Sequence, residues 1–146
     1  MVMNTAAMLS GDYDAVERDI KAVVDIARKH SNRDKDAPYI TVKVIFETCL
    51  LSDEYIVKAC ELAHNAGVDY VKTSTGFGSA GATLPHVKLM YNCVQEADRG
   101  IKVKSSGGVK TLDQLIDFMD AGATRCGCSA TANILEDFLA RASKGG

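Results

Sequence analysis

Helical patterns alternate along this chain with short runs of β-branched residues, and this alternation restricts the possible folds more than any other feature. In three segments a helix-ending glycine is followed by a short strand and then by small polar residues and glycine. These segments cover residues 65–76, 97–108 and 120–130. Repeated units of strand and helix predict parallel strands that are joined by right-handed crossovers.

The same patterns predict five strands and five helices, beginning with a short strand at residues 2–4. Residues 39–46 form a nearly continuous apolar run interrupted by Lys43, which is typical of a strand covered on both faces. Polar residues 31–38 are predicted to form a loop, and residues 143–146 are predicted to fray. The first predicted helix begins at Ser10 or Asp12 and ends near His30. The other four predicted helices cover residues 52–67, 84–98, 112–120 and 132–142.

The length of 146 residues suits a single domain, residues 1–146, with one hydrophobic core. A closed barrel of eight βα units usually needs about 250 residues, so this chain can supply only part of such a barrel. A doubly wound sheet of flavodoxin type fits the length better. Both α/β architectures are open on these grounds.

Acidic and basic residues nearly cancel, with 17 Lys and Arg against 19 Asp and Glu and a formal net charge of -2. Because this balance provides no basic field, nucleic acid and anionic membranes are disfavoured as partners. No apolar run approaches the roughly 18 residues that a membrane span needs. The first ten residues lack the features of a secretory signal, so we expect a cytoplasmic protein.

The five cysteines are an odd number without a paired framework, which in a reducing compartment indicates buried thiols. Cys126 and Cys128 form a C-x-C motif, but no second pair and no histidine cluster stands near them in the sequence. We therefore expect no metal site.

Three lysines, Lys43, Lys72 and Lys104, lie within or at the end of successive apolar strands. One interpretation is that each stem is buried while its ammonium group reaches solvent. However, neighbouring parallel strands lie about 4.8 Å apart, so the amines of Lys72 and Lys104 can come together. Repulsion and desolvation then favour loss of a proton from one of them near neutral pH. A neutral lysine amine forms Schiff bases with carbonyl substrates, although position alone does not decide which lysine attacks.

Glycines and a serine fall where the predicted strands end, at Gly76, Gly107, Gly108, Gly127 and Ser129. Backbone N–H groups at such positions can turn toward an anion, and the loops of a barrel often hold phosphate. The alternative is that each glycine serves an ordinary turn between strand and helix. Since several of them share an edge with the lysines, the pattern favours a phosphorylated carbonyl substrate.

Two motifs make the comparison with a known family specific. Residues 71–77 (VKTSTGF) and 103–109 (VKSSGGV) resemble the two lysine strands of deoxyribose-phosphate aldolase, and residues 121–130 (AGATRCGCSA) resemble its last strand. Residues 1–4 followed by 9–13, and residues 42–48, match the order of the family's segments. The resemblance covers essentially the whole chain and implies a partial (β/α)8 TIM barrel, about its last five βα units.

The resemblance implies a class I aldolase that needs neither metal nor cofactor and cleaves 2-deoxy-D-ribose 5-phosphate to D-glyceraldehyde 3-phosphate and acetaldehyde. Lys72 would be the Schiff-base nucleophile, and Lys104 would lower its pKa and assist proton transfer. Lys43 and Thr73 would contribute to the substrate pocket. The backbone around Gly76, Gly107, Gly108, Gly127 and Ser129 would hold the substrate phosphate.

The chain departs from the family at its start. In the family a catalytic Asp lies directly before the segment that begins here at Met1, and the strands preceding it are also absent. An alternative function is therefore an inactive sugar-phosphate-binding remnant, or a fragment that needs a partner chain. Exposed strand edges and an uncovered apolar interior predict a homo-oligomer or completion of the barrel by another chain. Glu47, at the end of the Lys43 strand, could place a carboxylate near the mouth of the site, but we interpret it as a solvated side chain.

Overall fold

The computed structural model describes residues 1–31, 38–96 and 100–143. Within these residues the strands are β1 (Lys43–Ile45), β2 (Tyr70–Lys72), β3 (Lys102–Ser106) and β4 (Ala123–Gly127). The α-helices are α1 (Thr5–Leu9), α2 (Tyr13–Ser31), α3 (Asp53–Ala66), α4 (Leu84–Glu96), α5 (Leu112–Asp120) and α6 (Thr131–Ala142). A single 3₁₀ turn, Thr48–Leu50, follows β1 in this part of the chain.

The strands form one parallel sheet in the order β1-β2-β3-β4. Strand neighbours in space are therefore also neighbours in sequence, as in a barrel wall. A flavodoxin-like sheet instead places its first strand between the second and the third. The order of the strands excludes the flavodoxin-like alternative for the described residues.

The two faces of the sheet differ in burial. One face carries Val44, Val71 and Val103, whose side chains are at most 1% exposed. Helices α2 to α6 pack successively against one another in a layer over this face. The opposite face carries the three predicted strand lysines, which are all partly exposed. A doubly wound sheet has helices on both faces, so this one-sided arrangement also fits a segment of a barrel.

Two of the predicted strands are wrong in their extent. Residues 2–4 do not form a strand, because Val2 makes only an isolated bridge to Ile45. The apolar run at residues 39–46 is a strand only from Lys43 to Ile45, while Tyr39 is 61% exposed. The described sheet therefore has four strands where five were predicted.

The predicted helices are confirmed within a few residues, but α1 was missed, so the described chain has six α-helices instead of five. Asn4 caps α1 by accepting a hydrogen bond from the Ala7 N–H at 3.0 Å. Helix α1 was not predicted because hydrophobic periodicity is weak over so few residues. The predicted loop at 32–37, the helix end at 97–98 and the frayed residues 144–146 lie outside the described residues.

The open face of the sheet is cationic, so the prediction of an uncovered apolar interior is wrong. Strand alternation turns the valines toward the helices and the charged side chains to the other face. The open face bears Lys43, Lys72, Lys102, Lys104 and Arg125. Exposed apolar side chains lie elsewhere, among them Leu135, Phe138 and Leu139 on α6. The β1 edge is partly paired, since Met3 N donates to Ile45 O and Ile45 N donates to Met1 O, each at 2.9 Å.

The cysteines are less buried than predicted. Cys60 on α3 is 3% exposed, whereas the other four are partly exposed. A hydrogen bond from the Cys60 thiol lowers the pKa of Cys93 on α4 to about 7. Cys93 and Cys60 line a groove of about 340 Å³ between the two helices.

We expect Cys93 to be alkylated by iodoacetamide with a midpoint near pH 7, because the thiolate is the reactive form. Cys60→Ala removes the thiol that donates to Cys93, so this midpoint should rise toward the ordinary value of about 8.5. Cys60→Ser retains a donor and is the control. Peptide mass spectrometry over pH 6 to 9 measures the midpoint. An unchanged midpoint in Cys60→Ala would contradict the assignment.

A second prediction concerns Asp69, which precedes β2 and organises the start of the sheet. It accepts hydrogen bonds from Tyr39 Oη (2.5 Å), Val42 N (2.7 Å) and Arg28 Nη2 (3.0 Å). Burial alone raises the pKa of Asp69, but these hydrogen bonds outweigh it and the pKa is lowered. The stabilisation is therefore complete above the unfolded pKa of about 3.9 and declines as pH falls below it.

Asp69→Ala should lower the free energy of unfolding by about 2 kcal/mol at pH 7, because three donors lose their acceptor. Asp19→Ala, at an exposed position of α2, is the matched control. Urea denaturation followed by circular dichroism measures both. Equal midpoints for the two variants would show that the Asp69 contacts add nothing to stability.

Candidate functional site

A cavity of about 450 Å³ opens at the carboxyl ends of β2, β3 and β4. Its walls comprise Lys72, Thr75, Gly76, Lys104, Ser106, Gly107, Gly108, Val109, Lys110, Gly127, Cys128 and Ser129. The structure thus brings together all the predicted site residues except Lys43 and Thr73. A groove of about 500 Å³ between α4 and α5 is slightly larger, but neither Lys72 nor Lys104 lines it. The cavity at the strand ends is therefore the candidate site.

Lys72 and Lys104 are directly paired across β2 and β3. Burial lowers the pKa of Lys72 most, the charge of Lys104 lowers it further, Glu47 raises it, and Lys43 lowers it slightly. The sequence predicted a lowered pKa for one of the two lysines, with the second lysine as the leading cause. The structure places Lys72 in that role and makes desolvation the larger contribution.

Lys43 lies beside the cavity and does not line it. Its Nζ stands 5.8 Å from the centre of the Tyr70 ring. Register explains the displacement, because Lys43 pairs with Tyr70 and so precedes the level of Lys72 by two residues. Lys43 still acts on Lys72 through its charge. Its predicted contact with substrate stays a prediction.

Thr73 is fully buried at the end of β2. Its hydroxyl donates to Ser106 O and accepts from Ser106 N, both at 3.1 Å. The side chain therefore joins β2 to β3 below the cavity, and the lining does not include it. Its predicted role in binding substrate stays a prediction, and the observed contacts give it a role in holding the two strands together.

The glycines of the cavity serve two different purposes. Gly76, Gly107 and Gly108 have φ values of 99°, 86° and 81°, which side chains rarely tolerate. Gly127 has no such φ, but a Cβ atom there would lie 2.4 Å from Ser106 Oγ and 3.1 Å from Lys104 Cε. The first three shape the turns of the wall, and Gly127 leaves room for the Lys104 side chain.

Glu47 was interpreted as a solvated side chain, and this is wrong because it is only 7% exposed. The 3₁₀ turn after β1 directs its carboxylate to Thr75, whose N–H donates to Oε2 at 3.2 Å and whose hydroxyl donates to the same oxygen. Sequence reasoning also missed Ser106 and Lys110 in the cavity wall. The place of Glu47 directly after a lysine-bearing strand was the signal for the alternative of a carboxylate near the site.

Neither a metal cluster nor a membrane-spanning helix is found in residues 1–31, 38–96 and 100–143. No group of three or more His, Cys, Asp and Glu side chains in those ranges could hold a metal ion. Similarly, no helix in those ranges combines the length and apolar character needed to span a bilayer. The predicted absence of a metal and of a cofactor, and the predicted location, stay predictions.

Parallel βα units in sequential order, one helical layer and a cavity at the carboxyl ends of the strands define a protein of the α/β-barrel class. The sequence profile described as DeoC/LacD family aldolase matches residues 6–136. The chain belongs to this family. The resemblance predicted from the two lysine motifs is thereby confirmed.

Individual relatives agree with this assignment. The deoxyribose-phosphate aldolase of Aciduliprofundum boonei is 51% identical over 93% of this chain and 56% of its own length. A crystal structure from Coccidioides immitis, named for the same aldolase, matches with a TM-score of 0.87 and 36% identity over 95% of this chain and 51% of that one. A deoxyribose phosphate aldolase from Aeropyrum pernix, described as a unique tetramer, has a TM-score of 0.75 and 29% identity over 87% of this chain and 50% of its own.

The chain spans 50 to 56% of the length of these relatives. Its fold is accordingly part of a (β/α)8 barrel, as predicted. The described part contains four strands of such a barrel wall and an isolated bridge beside β1.

Proposed function

We propose that this chain carries the Schiff-base site of an aldolase acting on 2-deoxy-D-ribose 5-phosphate. The observation that carries the proposal is the pairing of Lys72 with Lys104 in one cavity, together with the lowered pKa of Lys72. The names of the relatives support the substrate.

In the proposed reaction the neutral Lys72 amine attacks the aldehyde carbon of the open-chain sugar, and water leaves to form an iminium ion. The C3 hydroxyl then loses its proton and becomes the carbonyl of the departing aldehyde as the C2–C3 bond breaks. The electron pair of the C2–C3 bond moves to the iminium. Glyceraldehyde 3-phosphate departs and leaves an enamine. Protonation at C2 and hydrolysis release acetaldehyde and restore Lys72. Lys104 lies beside Lys72 and is the nearest candidate to exchange protons with these intermediates.

The phosphate would be held by the glycine-bearing loops of the cavity. Gly76, Gly107 and Gly108 form turns whose backbone N–H groups could bind an anion, and Lys110 adds a cation to the same lining. Gly127 and Ser129 complete the wall from the β4 side.

A second candidate function is sugar-phosphate binding without turnover, or turnover only after a partner chain completes the barrel. The chain covers little more than half of the Aciduliprofundum relative, and the open face of its sheet bears five cations that are partly or fully exposed. The tetramer of the Aeropyrum relative supports self-association as the means of covering this face. We expect sedimentation to give a species larger than the monomer.

The deciding experiment incubates the purified chain with 2-deoxyribose 5-phosphate and measures acetaldehyde release. A parallel sample receives acetaldehyde and borohydride, and mass spectrometry locates the reduced adduct. Acetaldehyde release with an ethyl group on Lys72 supports the aldolase. Thermal protection by the sugar phosphate without release or adduct supports the binding remnant and contradicts the aldolase.

A further inference from the structure

The backbone of Glu47 is strained. It is the one non-glycine residue with positive φ in the described part of the chain, at φ 57° and ψ 61°. A left-handed conformation is unfavourable for a residue with a Cβ atom, and such strain is found most often at functional sites. Glu47 is also 7% exposed, so its carboxylate has left bulk water. The contacts of this side chain must compensate both costs.

The contacts of Glu47 organise one wall of the cavity. Thr75 donates from its N–H and its hydroxyl to the same carboxylate oxygen, Oε2. The Thr75 hydroxyl oxygen in turn accepts a hydrogen bond from Phe77 N at 3.1 Å. Thr75 and Gly76 line the cavity. Glu47 therefore determines where the loop after β2 stands relative to the lysines.

The fit between the loop and Glu47 is close. A Cβ atom at Gly78 would lie 3.0 Å from Oε1 of Glu47 and 2.9 Å from Sγ of Cys49. Cys49 belongs to the same 3₁₀ turn, and its thiol approaches Oε1 at 3.8 Å. The loop after β2 and the turn after β1 are thus packed around the carboxylate.

The charge of Glu47 also acts on Lys72. It raises the pKa of Lys72 against burial, Lys104 and Lys43. The charged groups that act on Lys72 or share the cavity with it are Lys43 on β1, Glu47 after β1, Lys104 on β3, Lys110 in the cavity wall and the amino group of Met1. Arg125 on β4 pairs with Lys104 on the same face of the sheet. Glu47 is the one anion in this set.

We propose that Glu47 is a positioning residue of the site, which holds Thr75 and Gly76 at the cavity wall and supplies the negative charge opposed to the lysine pair. Its importance for catalysis rests on the proposed function, whereas its effects on the loop and on Lys72 do not. Two separable actions follow from the geometry, one through hydrogen bonds and one through charge.

Three variants separate these actions. In Glu47→Gln the amide oxygen can accept both Thr75 hydrogen bonds, because both reach one oxygen, while the charge is lost. In Thr75→Val the charge remains and the hydroxyl contact is lost. Glu47→Ala removes both. Glu54→Gln, at an exposed position on α3, controls for the loss of an acidic charge elsewhere.

Two measurements that need no turnover report the result. The pH midpoint of Lys72 methylation by formaldehyde and cyanoborohydride reports the protonation of Lys72. Calorimetry measures the affinity of the cavity for inorganic phosphate, which depends on the position of the cavity wall. Glu47→Gln should lower the Lys72 midpoint by about half to one pH unit and should not weaken phosphate binding, because the hydrogen bonds of the wall remain and a nearby anion is removed. Thr75→Val should weaken phosphate binding by about tenfold with little change in the midpoint. Glu47→Ala should show both effects.

An unchanged Lys72 midpoint in Glu47→Gln, or unchanged phosphate affinity in Thr75→Val, would overturn the proposal. Should Glu47→Ala fail to fold, the two isosteric variants still decide it. Failure of the proposed aldolase function would appear differently, as absence of the acetaldehyde adduct on Lys72 in the unmodified chain.

Discussion

Replacing Lys72 with methionine is expected to lower the rate of acetaldehyde adduct formation by at least about 1000-fold, because the Schiff base of the proposed reaction forms on this amine. Lys72 combines a wall position in the cavity with a pKa lowered mainly by burial. Methionine retains much of the buried stem volume, so the fold should persist. Lys88→Met, at an exposed site on α4, is the control and should react like the unmodified chain.

Lys104→Met provides the internal comparison. Removing this charge takes away one of the causes that lower the pKa of Lys72, so less neutral amine is present at pH 7. Burial remains, and we therefore expect adduct formation to slow by about tenfold at pH 7 and to recover at higher pH. Adduct in Lys72→Met at the unmodified rate would place the nucleophile elsewhere. Equal rates in Lys104→Met across the pH series would remove Lys104 from the activation of Lys72.

Replacing Gly81 with alanine is expected to have the second largest effect. Its Cβ atom would lie 2.2 Å from O and 2.4 Å from C of Gly107. These are backbone atoms, which cannot move away by a change of rotamer as a side chain can. Ala82 N donates to Ser106 O at 3.0 Å and to Gly107 O at 3.1 Å. The close approach of Gly81 to Gly107 therefore belongs to the hydrogen-bonded contact between the loop after β2 and the loop after β3.

Gly81→Ala must therefore separate the loop after β2 from the loop after β3. We expect a loss of about 2 to 3 kcal/mol in the free energy of unfolding and at least a tenfold loss of phosphate affinity. Gly11→Ala is the matched control, because it has a strained φ of 79° but open space around it. It should cost about 1 kcal/mol and leave phosphate binding unchanged. Equal behaviour of the two variants would show that the loops do not depend on their contact.

Much of the fold could be predicted because it follows from local patterns. Helix α5 has the Thr111 and Gln114 capping box at its start, and α3 ends at Gly67 with a φ of 80°. Lys72 and Lys104 occupy equivalent places in repeated βα units, so their pairing could be anticipated from strand geometry alone. Helix α1 was missed because five residues carry too little periodicity.

The amino-acid sequence by itself determined the order of the βα units, their parallel direction, the lysine pair and the glycines at the strand ends, because these depend on periodicity and on position along a strand. The tertiary structure decided that Lys43 stands one pleat away from the cavity, that Thr73 joins two strands, and that Glu47 is buried against Thr75. It also decided that the open face is cationic. These properties depend on contacts between residues distant in sequence. A strand pattern predicts which residues share a face of the sheet, but it does not predict what packs against that face.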